Sequence, residues 1–440
     1  MTRKSFLAIL LVIAQIFCCL AFAGAEAPAE PQKIITLTLK PQINTEALIQ
    51  MFSKGSSETP DADTLKMIDG LANNLTVSLV VSPEQAQGEL FLKDLSLTSF
   101  AMQMNDDGLA VVADILPDYI FVMTKAEMEQ ATENAGQSMN VQVDPQVFSG
   151  LFTGLIGKID AGFEAAYGEE ETGSWTFAGT EFTSRKKINM TTKEFFTLAV
   201  SSLKDVMSDP QLADLLAQIK ADPASLDDAL ESIGKTPDEQ LPPFDAYRYV
   251  NDAGDYFTTI VMDTLTTDPE NGGNITASFG KAGSVFAVDA LMASPIYNMS
   301  AALTSDAEAK TFNLAVDYAI NPDYPYAQYM SGPSSFALKA AGTWNEAGAV
   351  ADVSVNLGGI DLLSLHAEVL LGGEFTASFD TEGRTVLTAD SLNKLNEDSD
   401  EAQTLKAKLM TGLMKILSNA SSVMPDEITQ LMKLINKIRK

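Results

Sequence analysis

The chain holds one histidine, His366, and two cysteines, Cys18 and Cys19. Nucleophilic catalysis, or a metal site built on nitrogen or sulfur, would have to use them. His366 lies in LLSLHAEVLL, an alternating run that reads as a strand and sets it on the face opposite Leu365 and Ala367. No Gly-x-Ser-x-Gly elbow precedes it, and a histidine-based metal site needs more than one histidine. The expectation is a strand residue on a partly exposed face. Three oxygen-rich turns, Asn105–Gly108, Asp268–Asn274 and Asn396–Glu401, could feed a calcium ion. None has the D-x-D-x-D-G…E spacing of a full shell, and Asp, Asn and Gly are ordinary turn residues. Gly272-Gly273 and Gly358-Gly359 do not open a strand–loop–helix unit, so no phosphate loop is expected. A carboxylate pair for glycoside hydrolysis leaves no trace among 59 acidic residues. The residues therefore nominate no catalytic group, no cofactor and no metal ligand, and the chain reads as a non-enzyme.

Both cysteines sit in a leader-like start. Arg3 and Lys4 open it, and from Ser5 to Phe22 only Ser5 and Gln15 interrupt the apolar series. Ala21-Phe22-Ala23 is a small-x-small pattern, with Ala23-Gly24-Ala25 behind it. A basic start, an apolar run and such a pattern are the parts of a signal peptide. The reading is a signal over residues 1–23, with a retained membrane anchor as the other outcome. No later stretch approaches the roughly 18–20 residues that cross a bilayer, so an exported protein, extracellular or in the cell envelope, is expected. Its mature chain would hold no cysteine, hence no disulfide, thiolate catalysis or cysteine–zinc site. This usage points to a bacterial secreted protein. With 59 acidic and 29 basic residues the formal charge is −30, which repels nucleic acid.

The elements that would position a site follow from periodicity. KIITLTLK (33–40) alternates as a strand. TVSLVVS, GELFLKD, LSLTSFAMQM, GLAVVADI and DYIFVMT continue the pattern, with Asn105–Gly108 as a hairpin turn. Asp144-Pro145 then opens a helix. Along it Phe148, Phe152, Leu155, Ile159 and Phe163 recur at three and four, making them candidates to line an apolar groove between sheet and helices; a core helix is the alternative. Thr191-Thr192-Lys193-Glu194 is a capping box, and helices are expected at 192–207, 210–220 and 223–233. Strands and turns fill 245–388, and helices return at 390–395, 400–418 and 426–438. Each half thus runs strands first and helices last. The expected fold is α+β, with antiparallel curved sheets and helices on one face, as two related units in tandem. An N-terminal domain would span 24–233, a proline-rich linker 234–245 (GKTPDEQLPPFD), and a C-terminal domain 246–440. The last helix carries Ile428, Leu431, Met432, Ile435 and Ile438 on one stripe before Lys437-Ile438-Arg439-Lys440, which suits either packing on the sheet or a peripheral contact with the envelope.

The consecutive strands from GELFLKD to DYIFVMT, then a strand leading into a capped helix (TEFTSRKKINMTTKEFF), resemble the half-barrel lipid and lipoprotein carriers of bacterial envelopes. The resemblance covers about residues 75–230, with a looser second copy, and rests on element order. It implies a sheet curled around helices with acyl chains held between them, and assigns no site residue. Three functions remain: an exported non-catalytic binder of an apolar or lipid ligand, a surface scaffold without a ligand, and a carboxylate hydrolase. Sequencing the N-terminus of the exported protein tests the leader: the mature chain is expected to begin at Gly24 or, from the second pattern, at Glu26, whereas a chain still carrying Arg3 is an anchored one.

Overall fold

A computed structural model describes residues 34–46, 62–82, 84–105, 108–127, 145–208, 225–268, 272–327, 334–376, 379, 382–388, 391 and 399–438. Ala21 and Ala23, the expected helix at 210–220, the one at 390–395 apart from Ser391, and half of the 396–401 turn lie outside them.

Among the described residues the first elements are strand β1 (Ile35–Ile43) and helix α1 (Ala62–Ala72). Strands β2 (Leu75–Val81), β3 (Gln85–Leu92), β4 (Leu95–Asn105), β5 (Gly108–Ala113) and β6 (Tyr119–Thr124) follow. Helix α2 (Pro145–Glu164) leads to β7 (Tyr167–Phe177) and β8 (Thr180–Ile188), then to helices α3 (Thr192–Met207) and α4 (Ser225–Lys235). A long run of strands comes next: β9 (Phe244–Val250), β10 (Tyr256–Asp263), β11 (Asn274–Ala282), β12 (Val285–Ala293), β13 (Tyr297–Asp306), β14 (Thr311–Ile320) and β15 (Ser335–Asn345). The chain ends with β16 (Gly348–Leu357), β17 (Ile360–Leu371), β18 (Thr385–Thr388), α5 (Asp400–Ser421) and α6 (Pro425–Ile438). The α+β class read from the sequence is the one observed, and its sheets are almost wholly antiparallel.

Contacts divide the chain into two compact units, one of Ser138–Asn345 with Val355–Gly359, the other of Pro28–Gln137, Glu346–Ser354 and Ile360–Lys440. These boundaries differ from the expected break at 234–245. That stretch does end α4, and Asp238–Gln240 forms a short 3-10 turn. The chain then enters β9, which pairs with β8 through Ser184↔Val250 to Lys187↔Tyr247. Lys193 also reaches Asp238 at 3.3 Å. Prolines mark where a helix must stop, but the strands on either side of this interruption are neighbours.

In the unit holding α2, strands β7 to β15 form a meander in chain order. Helices α2 and α3 pack together where the sequence supplies glycine: a Cβ on Gly162 would lie 2.5 Å from Leu198, and one on Gly154 3.7 Å from Val206. The Thr191–Glu194 capping box is present, and the Thr191 N–H and hydroxyl hold the Glu194 carboxyl below its ordinary range. Beneath the helices Phe163, Ile188 and Ala246 are buried among Phe195, Leu198, Phe244, Ile260 and Phe279. A second cluster gathers Phe182, Tyr249, Phe257 and Ala282 with Trp175, Phe177 and Tyr247. Strand β7 carries Glu169, Glu170 and Glu171 exposed, a charged strand of the kind that discourages edge pairing.

In the other unit β1 lies between β2 and β17, and β2 to β6 continue outward, with β18 parallel to β6. Leu92, Ala420, Met424 and Ile428 are buried together, with Leu431 and Met432 packed against them. The stripe of the last helix is therefore turned inward at these positions.

One polar contact crosses the helix–sheet interface of the α2 unit. Arg248 on β9 pairs with Asp160 on α2 at 3.0 Å, the two side chains being 9% and 14% exposed. Its guanidinium also donates to Thr258 at 2.7 Å and lies 3.7 Å from the Tyr256 ring centroid. Burial pushes the nearby Tyr167 hydroxyl up from its ordinary pKa. Removing one partner of a buried pair strands the other. Asp160→Asn should therefore cost about 3–5 kcal/mol in urea unfolding, whereas Asp205→Asn, which removes the exposed pair with Lys158, should cost under about 1 kcal/mol.

Candidate functional site

The five groove candidates on α2 divide along the helix. The side chains of Phe148 and Phe152 lie outside the described residues. Leu155 is half-buried. Ile159 packs into the helix–sheet core, and Phe163 at its centre has 0% exposure. Phe163 stacks on Phe195 at 6.2 Å, which in turn stacks on Phe244 at 4.7 Å. The space under the C-terminal half of α2 is thus filled, and these two residues line no open groove there.

The sheet itself offers the larger apolar surface. Directly opposed residues in paired strands share a face, so the registers of β10 to β15 assemble rows. One row runs Met262, Ile275, Met292, Met299, Tyr318 and Phe336. The next runs Ile260, Ala277, Ala290, Ala301, Val316 and Leu338, and a third Thr258, Phe279, Val288, Leu303, Leu314 and Ala340. The other face is mixed: Thr259, Ser278, Asp289, Ala302, Ala315 and Lys339 form one of its rows, and the rows beside it include Phe257, Val261 and Leu291 among smaller and polar residues. Helices α2 and α3 close over the apolar rows at Ile260 and Phe279. Further along, Val288, Met292, Leu303, Leu314, Val316 and Leu338 are only half-buried, and Met299 is 45% exposed. With strands about 4.8 Å apart and same-face residues about 6.7 Å apart, the three rows span roughly 300 Å². The part from β12 to β15, clear of Ile260 and Phe279, spans roughly 200 Å², and exposed apolar patches of a few hundred Å² are often functional.

Periodicity in the sequence places strands and turns throughout 245–388 and does not reach the face they make. Alternation is plain in some strands, for example Ile275-Thr-Ala-Ser-Phe279, and blurred in others, such as VFAVDALMA of β12. The face appears only when the hairpins set neighbouring strands in phase.

In the unit containing α5, two clefts are polar at their rims. One of about 570 Å³ lies among Tyr119, Val386, Leu387, Asp400, Glu401 and Leu405; the other, about 470 Å³, lies among Gln42, Asp69, Asn73, Ser354 and Asp361. Asp400 and Glu401 stand in the first turn of α5, where carboxylates suit the helix dipole. His366 donates or accepts at 2.8 Å with Asp352 across β16 and β17, with side chains 41% and 79% exposed. Its neighbours Leu365 and Ala367 are buried on the other face, as the alternation requires. In the described parts of the three oxygen-rich turns Asn105 pairs with Gly108 across a hairpin, the Asp268 main-chain carbonyl accepts from the Gly272 N–H, and the Ser399 hydroxyl caps α5. Among the described residues no cluster of three or more His, Cys, Asp or Glu is placed to hold a metal ion, and no helix is long and apolar enough to cross a membrane.

No protein family, curated protein or solved structure matches this chain.

If Phe163 is core rather than ligand surface, Phe163→Ala should lower stability by about 3–5 kcal/mol without weakening uptake of any apolar ligand. Denaturant unfolding and ligand titration of the same variant measure the two separately.

Proposed function

We propose that the chain is an exported, non-catalytic protein that holds an apolar or lipid ligand against the apolar face of β10 to β15. The observation that carries this reading is the segregation of that face: three rows of Met, Ile, Val, Leu, Phe and Ala in register, half-buried from β12 to β14. Ala277, Ala290 and Ala301 form the middle row between larger neighbours, a shallow trough for a polymethylene chain crossing the strands. Each methylene buried contributes about 0.8 kcal/mol, so a dozen would supply about 10 kcal/mol, within the range of about 4–15 kcal/mol lost on association. The groove proposed from the sequence between sheet and helices thereby moves from α2 to the strands. Export and placement in the cell envelope belong to the same proposal and rest on the leader-like first residues. So does kinship with the half-barrel carriers, supported by antiparallel sheets with helices on one face.

A surface scaffold without a ligand is the second reading, favoured by the filled core at Ile159 and Phe163. Native mass spectrometry of protein purified without detergent separates the two. The carrier reading expects an adduct of lipid mass that Leu303→Glu removes, with affinity falling at least tenfold, about 1.4 kcal/mol, while Asp289→Ala on the opposite face leaves it intact. A clean apo mass with no uptake of added fatty acid would favour the scaffold.

A further inference from the structure

The charges on β10 to β15 are sorted between the two faces. The carboxylates within these strands, Asp263, Asp289, Asp306 and Asp317, all stand on the face opposite the apolar rows. Lys339 is also there. Among the described residues of these strands the apolar face carries no carboxylate and one cation, Lys281. It is exposed and sits at the edge of the apolar rows, in the cross-strand row Tyr256, Lys281, Phe286, Ser305 and Phe312. Asp255 lies close enough for its charge to be felt with that of Lys281, while its carboxylate oxygens accept from the Asn251 amide at 3.1 Å and from the Gly283 N–H at 2.8 Å. The other cation at this end, Arg248, is committed to Asp160. In a chain of formal charge −30, a strand face that carries one lysine and no carboxylate among its described residues departs from the overall sign.

Resting on the carrier reading above, we propose that the ligand is a single-chain amphiphile with an anionic head, its tail across the apolar rows and its head at Lys281. The ammonium supplies a charge-assisted hydrogen bond; Tyr256 and Phe286 stand on either side of it in the same row, and Ser305 lies one strand beyond Phe286. A carboxylate and a phosphate monoester satisfy the same donors. A cationic amphiphile would meet Lys281 as a like charge.

The full-length protein, titrated calorimetrically below micellar concentrations with laurate, dodecyl phosphate, dodecanol and dodecyltrimethylammonium, tests this. The two anions should bind about tenfold more tightly than dodecanol, and the cation more weakly than it. Lys281→Gln should bring the anions down to the affinity of dodecanol and leave dodecanol unchanged, Lys281→Arg should retain most of the preference, and Lys339→Gln should change nothing. Equal binding of all four, or an anion preference that survives Lys281→Gln, overturns the assignment of the head group while leaving an apolar ligand in place. Failure of every probe to bind overturns the carrier reading and this inference with it.

Discussion

Strand register is the constraint on which the rest of this structure depends. Side chains alternate with a period of two, so a slip of one residue between neighbours would carry a whole set of apolar side chains to the opposite face. The hairpin turns prevent that slip. Ala178 and Gly179 adopt φ of 48° and 78° between β7 and β8, and Gly358 and Gly359 adopt 61° and 82° between β16 and β17. Two successive residues of positive φ are what a two-residue hairpin with native twist requires. Gly348, at φ 150°, is needed for another reason: a Cβ there would lie 1.9 Å from the Val369 carbonyl oxygen. With the turns set, the apolar rows and the sorted charges of β10 to β15 follow without further instruction.

Much of the local structure was legible in the sequence because it rests on neighbours in the chain. The capping box at Thr191 and Glu194, the proline-initiated helix at Pro145, the hairpin at Asn105–Gly108 and the orientation of His366 were all readable from spacing. What remained hidden depends on residues far apart. Periodicity could nominate Phe163 as apolar but could not distinguish a groove from a core, since both call for the same residue types. The answer lay in Phe195, Phe244 and Phe279, which come from three other elements. Likewise Arg248 gave no sign that its partner would be Asp160, 88 positions earlier.

The proline-rich break and the contact-defined boundary do not coincide, for a related reason. A run with three prolines and no periodicity looks like a hinge between domains, and it does interrupt regular structure. Whether such a break also separates compact units depends on where the next strand pairs, and β9 returns to β8. The boundary that contacts define instead passes through β16, a strand whose alternating pattern gives no local sign of it: its first seven residues count with one unit and its last three with the other.

The place of β1 has a consequence in time. Its register with β17 joins Ile35 to Leu371, and the Thr36 hydroxyl bonds the Gly372 carbonyl across a separation of 336 residues. At roughly 5–20 residues per second, a ribosome needs about 20–70 s between making one strand and making its partner. Throughout that interval β1 has an unsatisfied edge, and its unit cannot close however quickly the intervening meander forms. The late arrival of β17 therefore acts as a clock on completion of the fold, keeping the first strand of the chain available to whatever handles it on the way out of the ribosome.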